Sequence, residues 1–135
     1  PAPDVGATYT IAGGLVVSDR NLRPELHVEP DDAYEAGRVL AARWHGRGRL
    51  RYAVTPRFSL SCTEGMLEAC GALHAELGAL VTSHMNENVD EVEAVRGLFG
   101  DFDDYLHTYE HFGLVGESTV LDGELRSPEE VAARV

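Results

Sequence analysis

The sequence predicts a parallel α/β fold, either a doubly wound sheet or part of a (β/α)-barrel. Three observations support this prediction. Short apolar segments rich in β-branched residues recur along the chain, and each is followed by a longer segment whose apolar residues have helical spacing. Glycine or proline ends several of these segments. Alternation of strands and helices at this spacing implies right-handed parallel crossovers, but the pattern does not choose between the two architectures.

The predicted strands are short apolar segments. The first covers residues 11–17 (IAGGLVV), the second covers 50–55 (LRYAVT) and is ended by Pro56, and the third covers 79–84 (ALVTSH). Continuous apolar segments of this kind are typical of strands that are buried on both faces of a parallel sheet. A short fourth strand is predicted at 118–121.

The predicted helices alternate with these strands. Acidic residues in the first turn and Gly46 at the end delimit the first helix, and Thr63 is suited to cap the second. Val92, Val95 and Phe99 share one side of the third. The helices are expected at residues 31–46, 63–77, 87–99, 103–112 and 127–134.

Composition and charge exclude several classes of function. The 135 residues, 44% of them hydrophobic, suffice for one core, so a single domain or part of one is expected. A formal net charge of −12 argues against a phosphate backbone as partner, and nucleic-acid binding is not expected. No segment approaches the roughly 18 to 20 apolar residues of a membrane helix, and the N-terminus lacks a secretory pattern. We therefore expect a cytoplasmic protein without a membrane partner.

The two cysteines, Cys62 and Cys70, are expected to be reduced. They do not form a disulfide framework, and they lack the paired spacing of structural zinc sites. Cys70 lies within an apolar helical pattern, where a small buried thiol is the ordinary interpretation.

Two candidate functional residues follow the second strand. In a parallel α/β fold the active site lies at the carboxyl ends of the strands. Pro56 directs a loop that carries Arg57 and Phe58. Arg57 can donate a forked pair of hydrogen bonds to a planar acceptor such as a purine carbonyl, and Phe58 can lie against the ring. The alternative interpretation is a solvated arginine beside a core phenylalanine.

Two further candidates follow the third strand. A neutral imidazole at His84 can bind a divalent metal, and Glu87 can reach a metal-bound water or a substrate nitrogen. The alternative is a hydrogen-bonded structural histidine. His107 and His111 have the spacing of a helical metal clamp, but the aromatic residues around them favour packing.

Three segments resemble the guanine deaminase family of the amidohydrolase superfamily. They are RWHGRGRLRYAVTPRFSLSC at 43–62, SHMNEN at 83–88 and EVEAVRGLFG at 91–100. The resemblance implies a partial (β/α)8 TIM barrel of the amidohydrolase type, with about half of the barrel strands in a parallel sheet and flanking helices. It also implies an ancestral activity in purine catabolism, the zinc-dependent hydrolysis of guanine to xanthine and ammonia.

The extent of the resemblance divides the chain into three parts. Residues 1–10 form an irregular N-terminal segment, 11–121 form the partial amidohydrolase barrel domain, and 122–135 form a C-terminal segment that departs from the family.

The resemblance also implies roles for the four candidate residues. His84 looks like the zinc ligand at the end of the fifth barrel strand, and Glu87 looks like the proton shuttle. Arg57 and Phe58 resemble the pair that holds the guanine ring. The PRF element, together with His-x-x-Glu-Asn, is specific to members that act on purines.

The sequence departs from the family's metal-binding pattern. It contains no His-x-His pair, and it reads Leu121-Asp122-Gly123 where the family has a histidine after the sixth strand. The aspartate of the eighth strand, which activates the water, is expected downstream of Val135. Asp122 is the one candidate to replace that histidine as a zinc ligand. We therefore expect this chain by itself to be inactive.

Two alternatives to a guanine deaminase remain open. One is another aminohydrolase or a chlorohydrolase-type amidohydrolase, which acts on a different purine or a triazine. The other is a non-catalytic remnant that acts only as an oligomerising or binding module. Because an incomplete barrel exposes the edges of its sheet, we expect the isolated chain to be marginally stable, oligomeric or aggregation-prone unless a partner covers it, and a homo-oligomer is the expected assembly.

Overall fold

One parallel sheet forms the centre of the computed structural model, which describes residues 11–123. The strand order is β1-β3-β4-β5, and β2 also pairs with β3. All pairings are parallel. The strands are β1 (Ile11–Gly13), β2 (Val16–Val17), β3 (Leu50–Pro56), β4 (Leu80–His84) and β5 (Thr119–Asp122).

The strand predicted at 11–17 is interrupted in the structure. Its two pieces, β1 and β2, pair with β3 in the same register, Ile11 opposite Leu50 and Val16 opposite Thr55. At Gly14, between them, an added Cβ would lie 1.8 Å from the carbonyl oxygen of Ala53. The chain comes too close to β3 there for any larger residue.

Four helices follow the predicted order. Their ends differ from the prediction by at most two residues, as expected for boundaries read from sequence. The helix predicted at 127–134 and the irregular segment predicted at 1–10 lie outside the described residues. The helices are α1 (Pro30–Trp44), α2 (Glu64–Leu77), α3 (Val89–Leu98) and α4 (Tyr105–Glu110).

Local capping explains where two of these helices begin. The side chain of Thr63 accepts a hydrogen bond from the Met66 amide, so the predicted cap of α2 is confirmed. In α3 the cap is Asn88, whose side chain accepts a hydrogen bond from the Glu91 amide. Helix α3 therefore begins at Val89, two residues later than predicted.

The core includes residues from the strands and from all four helices. Met66 and Leu67 of α2 are fully buried, and so are Val54 of β3 and Val81 of β4. Cys62 and Cys70 are both free and buried, as predicted for Cys70. Burial raises the pKa of Cys62 to about 12 and raises that of Cys70 as well.

The sheet has two open edges within the described part of the chain. Strand β1 is exposed along its whole length, and neither it nor β5 has a further strand beside it among residues 11–123. None of the helices among these residues is long and apolar enough to cross a membrane.

Candidate functional site

The carboxyl ends of β3 and β4 bring two of the predicted residues together. Phe58, just beyond β3, forms a parallel backbone bridge with His84, the last residue of β4. The amide of Arg57 donates a 2.9 Å hydrogen bond to the carbonyl of Val17, which fixes the loop against β2. The loops after β3 and β4 therefore lie at one edge of the sheet, as the sequence predicted.

Arg57 and Phe58 form a stacked pair. The guanidinium carbon of Arg57 lies 5.0 Å from the centroid of the Phe58 ring, a cation–π arrangement. Its Nη1 donates a 3.3 Å hydrogen bond to Oγ of Ser61. Arg57 is exposed and Phe58 is only partly buried, so Phe58 is not the core phenylalanine of the alternative interpretation.

A cavity of about 520 Å³ lies beside this pair. Its volume falls within the range of small-molecule sites. Two arginines, Arg20 and Arg57, contribute to its wall together with Phe58. The lining residues are Arg20, Asn21, Leu22, Arg57, Phe58, Leu60, Ser61 and Leu98.

His84 and Glu87 form a second pair at the same sheet edge. Nε2 of His84 lies 3.8 Å from Oε1 of Glu87, and about half of each side chain is exposed. Neither residue lines the cavity beside Arg57 and Phe58. The structure thus joins the four predicted residues as two adjacent pairs and not in a single pocket.

The loop that carries Glu87 is held by hydrogen bonds from two of its backbone amides. Asn86 has a φ of 54°, in the left-handed region, where asparagine is among the residues best tolerated. The amide of Met85 donates a 2.8 Å hydrogen bond to the carbonyl of Asp122. The amide of Glu87 donates a 3.0 Å hydrogen bond to the carboxylate of Glu91. These contacts fix where the chain leaves β4.

Glu91 is a buried carboxylate that sequence reasoning missed. It is 3% exposed and accepts a 2.5 Å hydrogen bond from the hydroxyl of Tyr105. Burial is the largest cause that raises the pKa of Tyr105, so its hydroxyl stays protonated and able to donate. The only sequence signal for Glu91 is its position three residues after the Asn88 cap, and acidic residues are common at that position in helices that begin in solvent.

Tyr109 is the centre of a buried polar network behind the site. Its hydroxyl donates a 2.6 Å hydrogen bond to the carbonyl of His84 and accepts a 3.1 Å hydrogen bond from the amide of Ser59. The hydroxyl of Ser83 lies 3.0 Å away. Burial raises the pKa of Tyr109 to about 12. Sequence reasoning assigned Tyr109 to packing and did not identify these contacts.

A metal site is not formed by residues 11–123. The register of β4 and β5 places Asp122 opposite His84, next to the predicted ligand. Yet no group of three or more histidine, cysteine, aspartate or glutamate side chains within this range is arranged to hold a metal ion. One imidazole and a neighbouring aspartate do not make the usual set of three protein ligands.

The pair His107 and His111 packs against an aromatic ring, as the sequence favoured. The centroid of Phe102 lies 5.2 Å from the ring of His107 and 5.1 Å from that of His111, in edge-to-face arrangements. Nδ1 of His107 accepts a hydrogen bond from the amide of Asp103. The imidazole rings of His107 and His111 therefore pack against Phe102.

Comparison with known proteins identifies relatives of the chain, although no protein-family model matches it. A probable guanine deaminase of Deinococcus radiodurans is 58% identical over 112 residues, which are 82% of this chain and 26% of the relative. The guanine deaminase of Escherichia coli is 36% identical over 80% of this chain and 25% of its own length. The chain is homologous to one part of a guanine deaminase. It spans about a quarter of the length of these relatives.

Solved structures of guanine deaminases share this fold. The E. coli enzyme superposes with a TM-score of 0.86 at 33% identity, over 91% of this chain and 29% of that protein. A guanine deaminase from C. acetobutylicum, solved with guanine in its active site, gives 0.81 at 26% identity, over 88% and 29%. The homology to guanine deaminase and the partial amidohydrolase (β/α)8 barrel predicted from the sequence are thereby confirmed, and the doubly wound alternative is wrong.

More distant structures share the fold alone. A triazine hydrolase variant has a TM-score of 0.75 at 18% identity, over 90% of this chain and 28% of that protein. Atrazine chlorohydrolase from Arthrobacter aurescens, solved with zinc, has the same score at 16% identity and the same coverage.

The roles of Arg57, Phe58, His84 and Glu87 stay predictions.

Proposed function

We propose that this chain carries the purine-binding part of a guanine deaminase site. Arg57 and Phe58 hold the purine ring, Glu87 transfers a proton to or from a ring nitrogen, and His84 is one ligand of the metal in the complete family enzyme. The observation that carries the proposal is the stacked Arg57–Phe58 pair on a cavity of about 520 Å³, at the sheet edge that also bears His84.

Arg57 has donors available for a ligand. Within residues 11–123 its side chain makes one hydrogen bond, the 3.3 Å contact with Ser61, and no ion pair. The planar guanidinium can donate a forked pair of hydrogen bonds to a carbonyl and an adjacent ring nitrogen. The neighbouring ring of Phe58 offers a face on which a purine can stack.

Glu87 is suited to proton transfer. About half of its side chain is exposed, and its backbone is held by Glu91, so the carboxylate is accessible while the loop is fixed. A carboxylate within reach of a ring nitrogen can move a proton there during hydrolysis. His84, 3.8 Å away, is equally exposed and presents Nε2 at the same edge.

The donor set does not fit a complete zinc centre. Residues 11–123 offer His84 with Asp122 beside it, and no set of three ligands. We therefore assign no step of the hydrolysis to a metal held by this part of the chain. The proposed contribution of the chain is purine binding and orientation together with proton transfer.

A binding experiment tests the proposal. The 135-residue chain, labelled with ¹⁵N and ¹³C, is titrated with hypoxanthine, a soluble purine that has the 6-oxo group of guanine. We expect shifts of the Arg57 Nε signal and the Phe58 ring signals, and loss of binding in Arg57→Ala. Arg23→Ala is the matched control, because the side chain of that arginine is 75% exposed, forms an ion pair with Glu25 and does not line the cavity. Equal binding by both variants would contradict the proposal.

A second candidate function is an oligomerising module. The open sheet edge at β1 and the exposed side chains of Ile11, Val16 and Val120 favour it, because unpaired edges and apolar surface promote association. Light scattering checks this candidate: a stable oligomer that Val120→Lys dissociates supports it, and a monomer at high concentration contradicts it.

A further inference from the structure

A second cavity, of about 210 Å³, lies between α3 and α4. Its wall is formed by the loop after β4, by both helices and by the segment that joins them. Within residues 11–123 it shares no lining residue with the cavity beside Arg57 and Phe58, and neither His84 nor Glu87 lines it. This cavity is therefore separate from the site proposed above.

Asn86 presents unused hydrogen-bonding groups to this cavity. The residue is 4% exposed, and its carboxamide has no hydrogen-bond partner among residues 11–123. Buried polar side chains are ordinarily paired. Neither Oδ1 nor Nδ2 belongs to the side-chain atoms of the described residues that are sealed from solvent without a partner. A molecule in the cavity can therefore reach both the donor and the acceptor of Asn86.

The rest of the wall is mainly apolar. Val92, Val95, Phe99 and Phe102 all line the cavity, and Val95 and Phe99 are themselves buried. The hydroxyl of Tyr105, which also lines it, is already donated to Glu91. An apolar wall with a few well-placed polar groups is the usual composition of a small-molecule site.

The volume of the cavity limits the size of its ligand. An apolar cavity of about 150 Å³ is large enough to hold a benzene molecule. About 210 Å³ therefore accommodates one six-membered ring with a small substituent.

The charged residues around the cavity favour a neutral ligand. Arg96 forms a 2.7 Å ion pair with Glu93, so its charge is already matched. The side chain of Asp103 is 90% exposed, and the carboxylate of Asp104 caps α4 by accepting the amide of His107. An anion would meet these two carboxylates, whereas a cation would lose its hydration among apolar side chains.

We propose that this cavity binds a small neutral heterocycle that carries a lactam edge, a ring N–H next to a carbonyl. The Asn86 carboxamide donates a hydrogen bond to the carbonyl and accepts one from the N–H. The ring of the ligand packs against Phe99 and Phe102. The inference does not rest on the proposed purine site.

The test uses 2-pyridone, a single-ring lactam, and N-methyl-2-pyridone, which lacks the N–H. The 135-residue chain, labelled with ¹⁵N and ¹³C, is titrated with each compound. We expect 2-pyridone to bind with a dissociation constant on the order of 1 mM, to shift the Nδ2 signal of Asn86 and to give nuclear Overhauser contacts to the methyl groups of Val92 and Val95. It should bind about tenfold more tightly than its N-methyl analogue, because the analogue lacks one hydrogen bond.

Two pairs of measurements locate the site. Asn86→Gly removes the carboxamide and accommodates the φ of 54°, so the preference for 2-pyridone over its analogue should disappear. Val92→Phe fills the cavity and should abolish binding. Val39→Phe is the matched control, because Val39 is 53% exposed on α1 and does not line the cavity, and this variant should bind as the wild type does.

The remaining outcomes overturn the inference. A preference that persists in Asn86→Gly would show that the bulk of the methyl group, and not Asn86, discriminates the two compounds. Binding of 2-aminopyridinium without binding of 2-pyridone would show that the ligand is a cation. Binding that Arg57→Ala removes would place the probe in the purine cavity. If Asn86→Gly does not fold, the Nδ2 shift in the wild type and the comparison of Val92→Phe with Val39→Phe still decide.

Discussion

The phenol of Tyr109 donates a hydrogen bond of 2.6 Å to the backbone carbonyl of His84. Tyr109 lies on α4 and is fully buried, while His84 ends β4 and has a half-exposed side chain. The same hydroxyl accepts a hydrogen bond from the amide of Ser59, in the loop after β3. One buried hydroxyl thus connects the two loops that carry the candidate site, at the carboxyl ends of β3 and β4.

Replacing Tyr109 with phenylalanine tests this tie. Tyr109→Phe keeps the ring but leaves the Ser59 amide and the His84 carbonyl without their partner. We expect the free energy of unfolding to fall by about 1 to 3 kcal/mol, because buried polar groups that lose a partner remain desolvated. Urea unfolding followed by circular dichroism measures the change.

A surface tyrosine provides the control for that substitution. Tyr34 also donates a hydrogen bond, to Glu76, but this contact is exposed. Tyr34→Phe should therefore change the free energy of unfolding much less, because water replaces the lost partner. Equal effects of the two substitutions would show that the buried network does not stabilise the site.

The order of elements was predictable because it depends on local patterns. The apolar strands alternate with helical spacing, and a residue such as Thr63 caps a helix through a contact three residues away. The break within 11–17 was not predictable, since it depends on how closely Gly14 approaches Ala53 of another strand. Trp44 has the spacing of a core residue but is 40% exposed and stacks with Arg43 and Arg47.

The candidate site was predictable to a similar extent. His84 and Glu87 are three residues apart at a strand end, so their proximity follows from the sequence once the strand is recognised. The pairing of Phe58 with His84 required only that two parallel strands be neighbours. Tyr109 was missed because its contacts depend on tertiary packing, which no local spacing records.

Glu91 is predicted to keep the Glu87 loop in place. Its carboxylate accepts hydrogen bonds from the Glu87 amide and the Tyr105 hydroxyl. Glu91→Ala removes that acceptor, so the Glu87 amide should exchange with deuterium roughly tenfold faster than in the wild type. Glu93→Ala on the same helix is the control, because the side chain of Glu93 forms an exposed ion pair with Arg96. Unchanged exchange at Glu87 would show that other contacts hold the loop.

Two glycines in helices should respond oppositely to substitution by alanine. At Gly71 of α2 an added Cβ would lie 2.0 Å from the carbonyl oxygen of Phe112, whereas at Gly97 of α3 it meets nothing within 4 Å. Gly71→Ala should destabilise the protein, because backbone atoms must move to relieve the contact. Gly97→Ala should stabilise it by roughly 0.5 to 1 kcal/mol through helix propensity. Thermal unfolding measures both, and a tolerated Gly71→Ala would contradict the packing of α2 on Phe112.

Alkaline pH is predicted to destabilise the fold through Cys62. Its pKa is raised by burial from 9.0 to about 12, so between these values the unfolded chain loses the thiol proton while the folded chain keeps it. The stabilisation is therefore complete below pH 9 and is lost as the pH rises through this window. Urea unfolding at pH 7 to 10.5 should show a steeper loss for the wild type than for Cys62→Ala. Parallel curves would rule out Cys62 as a cause.

The isolated chain is predicted not to convert guanine to xanthine, even with added zinc. Catalytic zinc usually has three protein ligands and an open position for water, whereas the described residues offer no group of three side chains arranged to hold the ion. Glu87 cannot replace the ion, because its proposed task is proton transfer and not the supply of hydroxide. Bound metal is measured by native mass spectrometry, and xanthine is measured by absorbance. The test variant is His84→Ala. His74→Ala is its control, because His74 contacts the carbonyl of Ala79 at the opposite end of β4. Stoichiometric zinc with turnover that His84→Ala abolishes and His74→Ala retains would show that the chain builds a complete site, alone or as an oligomer.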